Sequence, residues 1–156
     1  MTPSDFIRAI APAAQASAGK TGIPASFTIA QAALESGWGG HVKGNNLFGI
    51  KADKSWTGDI YTTLTHEVMH GQRIAMNDVF RAYPDWAASI DDHAQFLDPK
   101  HNPRYAPAFQ CTDGRDFAYA IAECGYATDP DYGKKIAAII HGRNLQILDT
   151  PHGRIA

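Results

Sequence analysis

Glu35 is the residue whose surroundings in the sequence first suggest chemistry. It lies near the end of the stretch IPASFTIAQAALESGWGG, Ile23 to Gly40. Pro24 suits a first helical turn, no Gly or Pro interrupts Ala25 to Ser36, and Gly37 supplies a stop, so the stretch predicts a helix of about three turns. At 3.6 residues per turn Phe27, Ala30 and Leu34 share one face and Ile29 and Ala33 another, which leaves Thr28, Gln31 and Glu35 as one narrow polar strip. A carboxyl beside apolar packing is poorly solvated, so its pKa rises and it stays protonated near neutral pH, the state a general acid needs. Trp38, just past the helix, is a candidate for the apolar wall. The competing reading is a surface glutamate closing an ordinary amphipathic helix.

A second cluster, His66-Glu67-Val68-Met69-His70, fits the H-E-x-x-H pattern of zinc peptidases. That pattern binds metal because imidazoles four apart on a helix point the same way. On a strand the same residues stand roughly 13 Å apart and cannot share an ion held by bonds of about 2 Å. The preceding Ile60-Tyr61-Thr62-Thr63-Leu64-Thr65 favours a strand, and Gly71 directly after His70 cuts any helix short. No metal and no cofactor are therefore expected. Glu67, Asp53, Asp59 and Asp78 remain as possible partners for Glu35.

These residues must be held by elements of two kinds. Ser4 to Ala18 has helical composition, with Phe6, Ile7, Ile10 and Ala14 on one side and an expected kink at Pro12. Between about 40 and 83, glycines, asparagines and β-branched residues replace alanines, which predicts a loop-rich lobe with short strands. Ile60 to Met69 alternates, Gly71-Gln72 offers a turn, and Arg73 to Tyr83 returns. After Pro84 helical spacing resumes in Asp85 to Leu97, Asp113 to Glu123 and Asp131 to His141. Residues 1–148 are expected to form one domain and 149–156 a loose tail.

The 156 residues, 44% hydrophobic, suffice for one sizeable core but not for a second full domain. A net charge of -2 without a Lys/Arg cluster argues against a nucleic-acid partner, whose affinity comes mostly from neutralised phosphates. No apolar run approaches the roughly 20 residues a bilayer span needs, and Asp5 and Arg8 interrupt any signal-peptide core. The expectation is a monomer made in the cytoplasm without a signal peptide. Cys111 and Cys124 lie in no C-x-x-C pair and read as free thiols.

The sequence resembles the peptidoglycan N-acetylglucosaminidases of glycoside hydrolase family 73. The resemblance is carried by IPASFTIAQAALESGWGG, NNLFGIKA at Asn45 to Ala52, W-T-G at Trp56 to Gly58, T-x-E at Thr65 to Glu67, FRAY at Phe80 to Tyr83, NPRYAPA at Asn102 to Ala108 and GYATDPDYGKKI at Gly125 to Ile136. It implies a lysozyme-like α+β fold: a mainly helical lobe, a small β-hairpin lobe, and a glycan groove between them. It also implies that Glu35 is the general acid, that Glu67 is a second carboxylate, and that Tyr126 and Tyr132 belong to a motif that brings an aromatic to the site, with Tyr126 expected in a catalytic role and Tyr132 in substrate binding. Sugar sites are commonly lined by aromatics and amides, and Trp38, Asn46, Phe48, Trp56 and Tyr83 are available beside these tyrosines. The implied activity is endo-acting cleavage of peptidoglycan glycan strands by a phage or prophage endolysin, reaching the periplasmic wall after release or secretion by another system. A lytic transglycosylase, which would use Glu35-Ser36 and no second carboxylate, is the alternative.

Overall fold

The computed structural model describes residues 1–149, with Glu67 described by its backbone only. Helix α1, Pro3–Thr21, starts on a reciprocal cap: the Thr2 hydroxyl accepts from the Asp5 amide at 3.1 Å, and the Asp5 carboxylate takes the Thr2 amide in return. The helix runs on through Pro12. That residue faces solvent, where the carbonyl left without its amide partner can be hydrated.

Helix α2, Ala25–Ser36, is the organising element. Every residue from Ala25 to Ala33 is buried, and the helix packs against α1 and against two helices of the C-terminal half. Gly37 ends it with φ 57°, in the left-handed region where a side chain is disfavoured. Its N-terminus is held from the far end of the chain. The Asp149 carboxyl accepts from the Ser26 amide at 2.8 Å and from the Ser26 hydroxyl at 2.5 Å. The tail expected to begin at Asp149 thus has its first residue tied into the body, and 150–156 lie outside the described residues.

The β-lobe is an antiparallel hairpin, β1 Ile60–Met69 and β2 Gln72–Arg81, in register from Ile60↔Arg81 to Met69↔Gln72. The turn is His70-Gly71 rather than the expected Gly71-Gln72. Both of its residues have positive φ, 52° and 76°, the geometry of the two-residue turn that matches strand twist, and glycine takes the second place. The alternation of β1 is present, but the Ile60, Leu64 and Val68 face is open to water, with Val68 75% exposed. A single bridge from Lys51 to Phe80 ties the preceding loop to the hairpin.

The helices resume with α3 Trp86–Leu97, capped by Asp85, then α4 Gly114–Glu123, capped by Asp113, and α5 Tyr132–Gly142. Between α3 and α4 the NPRYAPA segment forms a 3₁₀ helix, Pro103–Gln110, that sequence periodicity did not predict. A second 3₁₀ turn, Leu145–Asp149, carries the chain back to α2. Among the described residues, the core joins Phe6, Phe27, Ile29, Ile90, Phe117 and Ile136 and receives nothing from the hairpin. Among the described residues no helix is long and apolar enough to cross a membrane. The architecture is α+β, a helical body with a small β-lobe.

Candidate active site

Glu35 sits in the last turn of α2, and its carboxyl Oε1 accepts a hydrogen bond from the Tyr132 hydroxyl at 2.6 Å. Tyr132 opens α5 and is buried. Tyr126, from the loop before α5, stacks on it with ring centroids 5.6 Å apart and planes at 21°. The Glu35 side chain still reaches solvent, yet protein atoms crowd its carboxyl. Desolvation therefore raises the Glu35 pKa, and the Tyr132 hydrogen bond opposes the rise. Burial and the negative charge of Glu35 in turn push both tyrosine hydroxyls above their ordinary value, so they remain protonated donors.

The polar strip of α2 continues one turn inward. Gln31 Nε2 donates to the Tyr132 hydroxyl at 2.9 Å, and Gln31 Oε1 meets His93 Nε2 of α3 at 2.6 Å. The imidazole is buried and stacks on Phe48 at 3.7 Å. Burial lowers its pKa to about 3, so it is neutral. Gln31 was visible as part of the strip. His93 was not singled out, because a lone histidine among Ile90, Ala94 and Leu97 reads as packing.

Beyond Tyr126 the surface opens. Phe96 packs edge-on to Tyr126 at 6.2 Å and also lines a cleft of ≈ 470 Å³ with Trp56, Arg81, Asp92, Gln95 and Asn102. Arg81 is buried, bonds Asp92 at 2.9 Å and lies 4.8 Å over the Trp56 ring. Tyr83 donates to the same Asp92 carboxylate at 2.6 Å. This arrangement fixes the wall of the cleft where the β-lobe meets α3.

The other expected site residues are distributed as follows. Trp56 is half-buried at the cleft, its indole N–H bonded to the Asp59 carbonyl at 2.8 Å. Asn46 is buried, and its amide donates to the carbonyls of Ile50 and Arg81, both at 2.9 Å, while its oxygen accepts from two loop amides. No donor of Asn46 is left for a sugar, and Phe48 is likewise enclosed. Trp38 packs edge-on to Phe6 at 6.0 Å under Arg143, while Tyr132 bonds Glu35 and Tyr126 stacks on Tyr132. Glu67 pairs in register with Ile74, and its side chain lies outside the described residues. His66 is in β1 and His70 in the turn, so the helical spacing that makes H-E-x-x-H a metal site is missing. Cys111 and Cys124 are free thiols.

Comparison with known proteins identifies the family and the fold. The family described as mannosyl-glycoprotein endo-beta-N-acetylglucosaminidase matches residues 11–145. The chain is 39% identical to the peptidoglycan hydrolase FlgJ of Vibrio parahaemolyticus over 88% of its own length and 46% of that protein's. It is 40% identical to the exo-glucosaminidase LytG of Bacillus subtilis over 80% of its length and 45% of that protein's. The chain thus spans about half the length of these relatives. The catalytic domain of the autolysin Auto from Listeria monocytogenes superposes with a TM-score of 0.82 at 31% identity, covering 94% of this chain and 86% of that one. The family match over residues 11–145, with these relatives and the shared fold, places this chain in the glucosaminidase family, glycoside hydrolase family 73.

Proposed function

We propose that this domain hydrolyses the β-1,4 bond between N-acetylglucosamine and N-acetylmuramic acid within peptidoglycan glycan strands, with Glu35 as general acid. The observation that carries the reading is the Glu35 carboxyl itself. It is raised in pKa by desolvation and held through Oε1 by Tyr132, which leaves Oε2 to carry the proton. Protonating the glycosidic oxygen lets the leaving sugar depart as an alcohol while positive charge builds at the anomeric carbon. Water then completes the hydrolysis. A carboxylate across the bond would activate that water or stabilise the charge, and Glu67 on the hairpin is the candidate. Trp56 and the cleft beside Phe96 are proposed to take the glycan, because an aromatic face next to polar side chains suits a sugar.

Mass spectrometry of digested wall tests the reading. The expected products carry reducing-end N-acetylglucosamine and disappear with Glu35→Gln. Anhydro-muramic ends would move the domain to the lytic transglycosylases, and lysis retained by Glu35→Gln would remove Glu35 from the mechanism. Endo action is proposed in keeping with the family description, and release of internal fragments rather than terminal sugars checks it. The endolysin setting belongs to the same proposal. Cytoplasmic expression should lyse cells only when a membrane hole is co-expressed, and sedimentation should give a monomer.

A further inference from the structure

The hydrogen-bonded chain behind Glu35 runs from α5 through α2 to α3, and each link has a direction. Tyr132 has one hydroxyl hydrogen. It can be given to Glu35 only if Gln31 presents its NH₂ group, not its carbonyl, to the Tyr132 oxygen. The orientation of the Gln31 amide is in turn decided by His93. A neutral imidazole carries one proton, and Nδ1 of His93 is buried with no hydrogen-bond partner among the described residues. With the proton on Nε2 the orphan is an acceptor; with it on Nδ1 the orphan is a buried N–H, the rarer and costlier vacancy. The Nε2–H tautomer therefore donates to Gln31 Oε1, which turns the NH₂ group toward Tyr132 and the Tyr132 hydrogen toward Glu35. Phe48, stacked on the imidazole at 3.7 Å, and Phe27, at 6.3 Å, hold the ring in place.

We propose that His93 and Gln31 are positioning residues for the general acid: they fix the direction of the Tyr132 hydrogen bond and so keep the Glu35 proton on the oxygen that faces substrate. The inference rests on the assignment of Glu35 made above. The ionisable groups facing the Glu35 carboxyl are Tyr132 from α5 and Tyr126 from the loop before it, while His93 faces Gln31 from α3. If the chain is broken, Glu35 loses the donor that opposes desolvation, its pKa rises further, and the alkaline limb of the turnover profile moves to higher pH. A residue that only filled space would lower turnover or stability without moving that limb.

Turnover against pH on purified glycan strands, with thermal midpoints recorded, provides the test. Gln31→Glu keeps the shape but offers only acceptors, so it takes the Tyr132 hydrogen away from Glu35. It should lower neutral-pH turnover roughly 10- to 10²-fold, the scale of a misplaced catalytic group, and raise the alkaline limb. In a Tyr132→Phe background, with no hydroxyl hydrogen to divert, the same substitution should move the limb less. His93→Gln, whose amide N–H reaches the position of Nε2, should leave the limb where it is in the unmutated enzyme. His93→Asn, which reaches only the position of Nδ1, should move it. An unmoved limb in Gln31→Glu, or an equal shift in both backgrounds, would overturn the proposal; the Gln31 pair decides alone if the His93 variants unfold. Failure here with Glu35→Gln still inactive sinks the relay only, whereas an active Glu35→Gln sinks the function reading first.

Discussion

At the scale of the residue, Glu35 is held where ionisation is disfavoured, and this has a stability consequence separate from turnover. The folded state raises its pKa, so the stability contributed by the neutral carboxyl is fully present below the unfolded value and is lost as pH rises through the folded value. Glu35→Gln removes that loss while keeping the shape. Its thermal midpoint should match the unmutated protein in acid and equal or exceed it at neutral and alkaline pH, with wall lysis gone throughout. A lower midpoint at neutral pH would mean that the ionised carboxylate stabilises the fold. Glu35 was legible in the sequence because a polar strip one residue wide on a helix otherwise apolar needs an explanation. His93 was not, because its partner Gln31 lies 62 positions away on another helix and local periodicity carries no trace of it. Nor did the sequence show which of the two tyrosines bonds Glu35. Tyr126 was expected in a catalytic role and Tyr132 in substrate binding, while the hydroxyl that bonds Glu35 belongs to Tyr132.

At the scale of the element, α2 depends on a clamp at its buried start. Asp149 accepts from both the amide and the hydroxyl of Ser26, and Gly114 lies against that hydroxyl, where a Cβ would collide. Asp149→Ala leaves a buried amide without an acceptor and should cost about 1–3 kcal/mol in denaturant unfolding. Asp149→Asn can still accept from the amide and donate to the hydroxyl, so it should cost much less; equal losses for the two would show that the hydrogen bonds are not the source. The helices and β1 were readable because caps, Gly stops and two clear periodicities agree along each of them. The 3₁₀ segment Pro103–Gln110 was not, since two prolines mask any helical period and its anchors, Tyr105 and Ala108, reach the core only through tertiary contacts. The strand reading of β1 also bears on the histidines. Lysis should survive EDTA, and His66→Ala with His70→Ala should change turnover little; loss on chelation restored by zinc would revive the metal reading.

At the scale of the whole molecule, the body and the hairpin are separable in energy but not in the proposed chemistry. Among the described residues, the core cluster takes side chains from all five helices and from the loop residues Leu47, Phe48 and Ile50, and none from β1 or β2. The outer half of the hairpin leaves Leu64 60% exposed and keeps mainly the Lys51–Asp78 ion pair at 3.6 Å with the body, a half-exposed contact worth little. Near its base, the Lys51 bridge to Phe80, the bond from the Ala52 amide to the Val79 carbonyl at 2.9 Å and that from the Arg81 amide to the Ile50 carbonyl at 3.1 Å hold the lobe in place, while the Tyr61–Phe80 stack at 5.3 Å joins its two strands. Replacing Thr63 to Asp78 with Asn-Gly keeps the Thr62↔Val79 pair and closes it with a turn of favoured type. The shortened protein should unfold as cooperatively as the parent, with a midpoint within a few degrees, and should not lyse wall, because Glu67 leaves with the segment. Glu67→Gln in the intact chain then separates charge from shape. If Glu67 activates water, turnover should fall roughly 10²- to 10⁴-fold with glycan binding little changed. Near-normal turnover in Glu67→Gln together with a dead hairpin deletion would assign the lobe to holding the glycan and leave the water to another group or to the substrate's own N-acetyl oxygen.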